Sequence, residues 1–239
     1  MGNPSAPQII EEGFFFCKEN WFAVKAGYQR DWVFDRNLKA VSKVSGRLDE
    51  FESISDQGVL TINLINLIEI YGSGGAARFH ISNRPTAGIR DEYQTHDQFT
   101  WGVGARATFY QWKDLAFGID GCYQGAHPKI KWLTVNGAPV NLRDGSKITY
   151  HEWQIGLGVS YQIDIFLPYL GVKYSNVSAN FKNLPPGFLQ KGDHFKGKNQ
   201  RKFGMAIGTT LSNSNRFAAT VEARLIDEQS ITLAADIKF

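Results

Sequence analysis

The sequence alternates between apolar and polar residues along several segments, with a period of two. In 99–109 and again in 153–161, every second residue is apolar, and the residues between them are polar, charged or glycine. The last segment, 231–239, alternates in the same way except at Ala234 and ends on Phe239. Because successive side chains of a β-strand point to opposite faces, the pattern predicts strands with one apolar and one polar face.

The alternating segments predict about ten strands, and eight to twelve are compatible with the pattern. They lie at 20–35, 56–65, 67–81, 96–111, 114–128, 147–163, 166–181, 199–212, 215–226 and 230–239. Short turns fall near residues 66, 112–113, 164–165 and 213–214, and long polar connections at 36–55, 82–95, 129–146 and 182–198. A fifth outer connection, near Asp227 and Glu228, is short. An even strand count places both termini on one side.

This organisation favours an all-β fold, a transmembrane antiparallel up-and-down β-barrel with short periplasmic turns and longer extracellular loops. No stretch approaches the ~18 apolar residues of a spanning helix, and mean hydropathy is −0.28. A soluble sandwich or lipocalin-like barrel is the alternative, since alternation alone does not separate the two. The glycine-rich polar face, the alternating connection lengths and the terminal Phe239 favour the membrane, with the protein in the bacterial outer membrane.

The chain divides into an N-terminal periplasmic segment, 1–19, and a barrel, 20–239. The N-terminus lacks the charged and apolar regions of a signal peptide, so we expect that peptide to have been removed. Phe239 is the terminal residue that we expect the barrel-assembly machinery to recognise. Outer-membrane lipids, including lipopolysaccharide, are the other expected partners. No long basic run indicates nucleic acid.

Charged residues on the polar faces are the candidate pore-lining set. They are Lys25, Asp31, Glu69, Arg106, Asp120, Glu152, Lys173, Lys202, Glu222, Arg224, Asp236 and Lys238. Six are positive and six negative, which predicts no strong ion selectivity. Arg106, Glu152 and Lys202 are the candidates for a constriction. In one interpretation the set lines a water-filled path, and in the other it pairs across strands and fills the lumen. Ten strands lie closer to the filled, eight-stranded case than to wide channels.

No motif indicates a cofactor, a metal or catalysis. The histidines lack ligand spacing, and His151-Glu152 and Asp227-Glu228, near outer rims, lack a nucleophile. Cys17 and Cys122 lie far apart in sequence without a CxxC spacing, so two unrelated thiols and a disulfide both remain open. We therefore expect a protein that is not an enzyme.

A surface-binding role is the second functional hypothesis. The outer connections carry an excess of basic residues, among them Arg36, Lys39, Lys129, Lys147, Lys196 and Lys198. Such an excess attracts acidic glycans or lipopolysaccharide phosphates, and solvated loops explain it equally well.

Several stretches, in order along nearly the whole chain, resemble the major outer membrane protein family of Chlamydiae. The matching stretches are 2–4, 33–39, 102–107, 127–129, 150–154, 160–161, 168–172, 201–202, 208–211 and 222–228. The block 150–154, YHEWQ, is the strongest of them.

The resemblance implies a trimeric porin that passes small solutes or ions by passive diffusion and serves as a surface-exposed structural antigen. This chain is shorter, with the losses in the long connections, which correspond to the family's variable segments. Only Cys17 stands where the family has an N-terminal cysteine cluster, which argues against a disulfide-linked envelope role. A surface adhesin or structural barrel with a filled lumen is the alternative.

Overall fold

A computed structural model gives the fold of the chain. It describes residues 2–9, 21–40, 47–86, 88–184, 194–213 and 216–239. Its one short helix, α1, spans Ala6–Ile9. In chain order the strands are β1 Phe22–Arg36, β2 Leu38–Ala40, β3 Arg47–Leu64, β4 Ile68–Thr86, β5 Ile89–Thr95, β6 Gln98–Trp112, β7 Leu115–Ala126, β8 Ile130–Val135, β9 Ala138–Pro139, β10 Lys147–Tyr161, β11 Phe166–Lys182, β12 His194–Asn199, β13 Phe203–Ser212, β14 Phe217–Leu225 and β15 Glu228–Lys238.

Ten of these strands form a closed antiparallel ring. Its order is β1, β3, β4, β6, β7, β10, β11, β13, β14 and β15, and β15 pairs back onto β1 with Lys238 opposite Lys25. The predicted ten-stranded barrel is therefore confirmed. Closure matters in lipid because a ring leaves no strand edge with unpaired backbone groups.

The wall of the ring has the polarity of a membrane barrel. Thirty-six large hydrophobic side chains of the described residues are exposed, including Leu60, Val103 and Ile207. Inner positions such as Gln57 and Thr210 are buried and polar. A soluble barrel would place the apolar face inside, so this inverted arrangement requires lipid outside. Among the described residues, no helix has the length and apolar character to cross a membrane.

Tight turns join the strands at the periplasmic end. Ile65 and Asn66 have φ of 49° and 54°, and Lys113 and Asp164 both have φ of 53°. Positive φ is uncommon outside glycine and marks tight turns. These three turns lie where the sequence predicts them. The fourth, at 213–214, falls partly outside the described residues.

The long outer connections contain strands that the sequence interpretation treated as loops. β3 begins at Arg47 and β4 continues to Thr86, well beyond the predicted strands. β5, β8 and β9 extend from β4, while β12 and β2 extend from β11. We call these five strands the outer sheet. An Asn136-Gly137 turn with both φ positive joins β8 to β9, as expected for this dipeptide in a hairpin.

The lumen as candidate functional site

The structure places eleven of the twelve pore-lining candidates on the inner face of the ring. Lys25, Glu69, Glu152, Lys173, Glu222, Arg224 and Lys238 are at most 5% exposed, Asp120 is 7% exposed, and Arg106 and Asp236 are partly buried. Their role in conduction stays a prediction.

Lys202 is the exception, and its placement in a constriction is wrong. It precedes β13, whose pairing begins with Phe203 opposite Tyr174, so strand alternation does not fix its side chain. Lys202 is exposed, and its Nζ lies 5.7 Å from the centroid of the Tyr174 ring.

A first group of charges lies near the periplasmic end, and we call Lys25, Glu69, Arg106 and Asp120 the basal cluster. Lys25 pairs with Glu69, and Arg106 Nε lies 3.6 Å from Glu69 and 3.7 Å from Asp120. The guanidinium also covers the Tyr71 ring at 4.8 Å. Buried charges are costly unless paired, and this mutual pairing offsets the cost.

A second group of charges lies toward the outer end, and we call it the upper cluster. Its members are Asp31, Arg36, Glu152, Lys173, Glu222, Arg224, Asp227 and Glu228. Glu228 is its centre, since it pairs with Arg36, Lys173 and Arg224 and is fully buried. Arg36 also donates to Glu152 at 2.5 Å.

The sequence interpretation missed three members of the upper cluster. It placed Arg36, Asp227 and Glu228 in outer loops, and all three are buried inside the ring. The β1–β15 register shifts between Val33 and Asp35. This bulge reverses the alternation, so Arg36 turns inward. The sequence alone does not show this, because the pairing of Arg36 with Glu228 depends on a register that only the structure gives.

Residues 2–9 lie against the inner wall at the periplasmic end, and we call them the N-terminal plug. Asn3 donates to the Thr210 hydroxyl at 3.0 Å, and the Pro4 carbonyl accepts from Thr108 at 2.8 Å. The Ala6 carbonyl accepts from Lys25 at 2.8 Å. The Pro7 carbonyl accepts from Asn63 at 2.7 Å. The plug is thus held by polar contacts to at least four strands.

An apolar core packs at the other end of the lumen. Its buried residues are Leu38, Leu48, Phe51, Ala77, Phe79, Ile81, Tyr93, Ala126, Ile130, Leu133, Ile148, Tyr150, Val177, Ala179, Phe181 and Leu184, and we call it the outer core. Phe51 stacks on Tyr150 with centroids 5.8 Å apart. The Tyr150 hydroxyl donates to Glu152 at 2.6 Å, which joins the outer core to the upper cluster.

A cavity of about 100 Å³ remains between the two ends. Polar side chains such as Gln57, Gln124 and Gln154 line it, with Asn3 of the plug below. The Gln154 Oε1 atom is buried without a hydrogen-bond partner. This space is large enough for a few water molecules.

Inward glycines leave space that other groups of the chain occupy, and so they do not widen the lumen. A Cβ at Gly208 would lie 2.5 Å from the Tyr169 hydroxyl, and one at Gly118 would lie 2.8 Å from the Pro4 carbonyl. These glycines therefore leave no added free space in the lumen.

Other side chains that could bind a metal or take part in catalysis lie outside the lumen or are ion-paired. His127 and His151 contact each other on the outer surface, with ring centroids 5.5 Å apart. Asp227 and Glu228 pair with cations. No three His, Cys, Asp or Glu side chains of the described ranges converge as a metal site requires. Cys122 is a free thiol, and Cys17 lies outside the described residues.

A closed ring with an apolar exterior and a charged interior defines an outer-membrane β-barrel. The family model described as Chlamydia major outer membrane protein matches residues 138–185 and 192–239. The major outer membrane porin of Chlamydia trachomatis serovar D is 23% identical over an alignment that covers the whole chain and 94% of that porin. The chain is therefore similar to the chlamydial major outer membrane proteins, by the family model over its C-terminal part and by distant relatives over its whole length.

The relatives are longer than this chain within the aligned region. The serovar D alignment spans 369 positions against 239 residues here, a difference of 130. The Chlamydia abortus porin is 22% identical, with all of this chain and 94% of that porin covered. Among solved structures, the β domain of the Bordetella autotransporter BrkA is 11% identical, with 91% of this chain and 99% of that one covered and a TM-score of 0.47.

Proposed function

We propose that this outer-membrane protein lets small ions and hydrophilic solutes diffuse passively along a narrow, polar lumen. The observation that carries the proposal is the inner wall, which is polar from the basal cluster through the cavity to the upper cluster. The names of the relatives, all porins, support the same function. The proposal includes no catalytic step.

The N-terminal plug narrows the lumen at one end, and the outer core narrows it at the other. The cavity between them, about 100 Å³, is too small for a sugar. We therefore expect ions to pass and disaccharides to be excluded.

Planar-bilayer recording and liposome swelling test the proposal together. The purified full chain should give ion conductance but no swelling in disaccharide solutions. A variant lacking residues 2–9 should conduct more, because the plug blocks the periplasmic mouth. Silence of both proteins in bilayers would refute diffusion through the lumen.

The second candidate function is a structural or adhesive barrel with a filled lumen. The outer core favours it, because an apolar layer excludes ions. This candidate requires that neither the full chain nor the shortened variant conducts ions, although both insert normally into the membrane.

The revised inner face also changes the expected selectivity. Six cations, Lys25, Arg36, Arg106, Lys173, Arg224 and Lys238, face eight carboxylates, Asp31, Glu69, Asp120, Glu152, Glu222, Asp227, Glu228 and Asp236. The formal charge is 6 − 8 = −2. We propose a modest preference for cations, which the reversal potential in a KCl gradient measures.

We also propose, from the family, a homotrimer delivered by the barrel-assembly machinery through Phe239. Phe239 donates its backbone N–H to Val24 at 2.8 Å, so it takes part in ring closure. Native mass spectrometry of the detergent-extracted protein tests the trimer.

A further inference from the structure

One side of the outer rim carries rows of lysines that oppose one another across strands. Lys147 of β10 pairs in register with Lys182 of β11 on one side and forms a bridge with Lys129 on the other. All three are exposed, whereas their neighbours Ile148 and Phe181 point into the outer core. The three ammonium groups therefore lie together on the outer surface.

A second group of cations lies beside the first on the same surface. Lys198 of β12 pairs in register with Lys39 of β2, and Lys196 is two residues along β12. Arg201 and Lys202 follow, and all five side chains are exposed. We call these eight residues the cation face: Lys39, Lys129, Lys147, Lys182, Lys196, Lys198, Arg201 and Lys202.

This arrangement is unfavourable without an anionic partner. Side chains directly opposite on antiparallel strands have Cβ atoms about 5 Å apart, and like charges there destabilise a sheet. Within the described residues, no carboxylate lies in ion-pair distance of any member of the cation face.

On the opposite side of the barrel, three exposed arginines pair with carboxylates. Arg84 lies 2.6 Å from Asp49, and Arg90 lies 3.1 Å from Glu92. Arg30 lies 3.6 Å from Asp56. Three arginines on that side are thus neutralised, whereas none of the eight members of the cation face pairs with a described carboxylate, which indicates a ligand for the cation face.

The aromatic girdle fixes the height of the cation face. Trp153, Tyr174 and Phe203 form a contiguous belt, with centroids 5.3 Å and 5.2 Å apart, and such belts lie at the lipid headgroups. Lys202 contacts the Tyr174 ring. Lys147 is six residues along β10 from Trp153. At ~3.3 Å per residue and a tilt of ~40°, that places it ~15 Å above the belt. The cations therefore extend from the headgroup level to ~15 Å above it.

We propose that the cation face binds the phosphate groups of a lipopolysaccharide molecule in the outer leaflet. Several phosphates on one headgroup match several ammonium groups spread over this height, and neutralisation removes the repulsion within each lysine row. The site does not depend on conduction through the lumen.

The test compares two triple variants of the full chain in detergent. Lys39→Gln/Lys182→Gln/Lys198→Gln removes three unpaired charges, and Arg30→Gln/Arg84→Gln/Arg90→Gln removes three paired charges from the opposite side. Titration with lipopolysaccharide, followed by native mass spectrometry, should show at least tenfold weaker binding for the first variant and less than twofold for the second. Raising the salt concentration should weaken binding by the wild type.

Three outcomes would overturn the proposal. The first is an equal loss in both triple variants, which would mean that total charge decides binding. The second is unchanged binding of dephosphorylated lipopolysaccharide. The third is tighter binding of a soluble polyanion such as dextran sulfate, which would assign the surface to an acidic polysaccharide instead of a membrane lipid.

Discussion

Different kinds of contact fill the two ends of the lumen. The outer core consists of packed aliphatic and aromatic side chains from the outer sheet and from five of the ten ring strands, β3, β4, β7, β10 and β11. The N-terminal plug is a short segment held by single hydrogen bonds to Thr108, Lys25 and Asn63. Water can replace each hydrogen bond of the plug at small cost, whereas it cannot replace apolar packing. The outer core therefore stabilises the fold, and the plug is the end that can open.

The largest expected effect is a loss of stability in the outer core. Phe51→Ala should cost about 3–5 kcal/mol, because Phe51 is buried against Phe79 and Tyr150. Chemical denaturation in detergent measures it. Phe99→Ala is the matched control, since Phe99 is 67% exposed on the outer wall. Equal losses in both variants would contradict the role given to the outer core.

The next effect concerns the charges beneath the outer core. Glu228→Gln should cost about 3 kcal/mol, because it leaves Arg36, Lys173 and Arg224 short of a buried carboxylate. Glu222→Gln, which removes a carboxylate 3.9 Å from Arg224, is the control and should cost less. The same denaturation assay ranks them, and the reverse order would show that Glu228 is not the centre of the upper cluster.

Deleting residues 2–9 sharpens the comparison most directly. Stability should fall by about 2–4 kcal/mol, since several hydrogen bonds of about 1 kcal/mol each are lost, while single-channel conductance rises. Phe51→Ala should cause a larger loss of stability with little gain in conductance. A shortened chain with unchanged conductance would mean that the outer core alone limits flow.

The smallest effect is a pH dependence in the outer sheet, outside the membrane-spanning ring. Burial raises the pKa of Asp91 to about 6, and a hydrogen bond from Tyr93 opposes the rise only in part. A raised folded-state pKa means that stability falls as pH rises from about 4 through about 6, where the buried carboxyl ionises. The loss should be on the order of 1–2 kcal/mol. Asp91→Asn should abolish this slope, and a slope that persists in the variant would assign it to another group.

Alternation predicted the strands and, together with the features that favoured the membrane, most of the inner face, but two kinds of residue escaped it. Alternation places the Lys202 side chain inside the ring, but it is exposed outside, because Lys202 precedes the first paired residue of β13. Alternation places the Arg36 side chain outside, but it faces inward, because a bulge between Val33 and Asp35 shifts the alternation. Pairing partners decide both cases, and they are remote in sequence.

By itself the sequence determined the ten strands, the apolar face of each strand and the three tight turns at 65–66, 113 and 164, because a period of two and turn residues are local properties. Only the tertiary structure decided how the lumen is filled. The plug, the outer core and the pairing of Arg36 with Glu228 join residues far apart along the chain. Such contacts depend on where the closed ring brings its walls together, which no local pattern encodes.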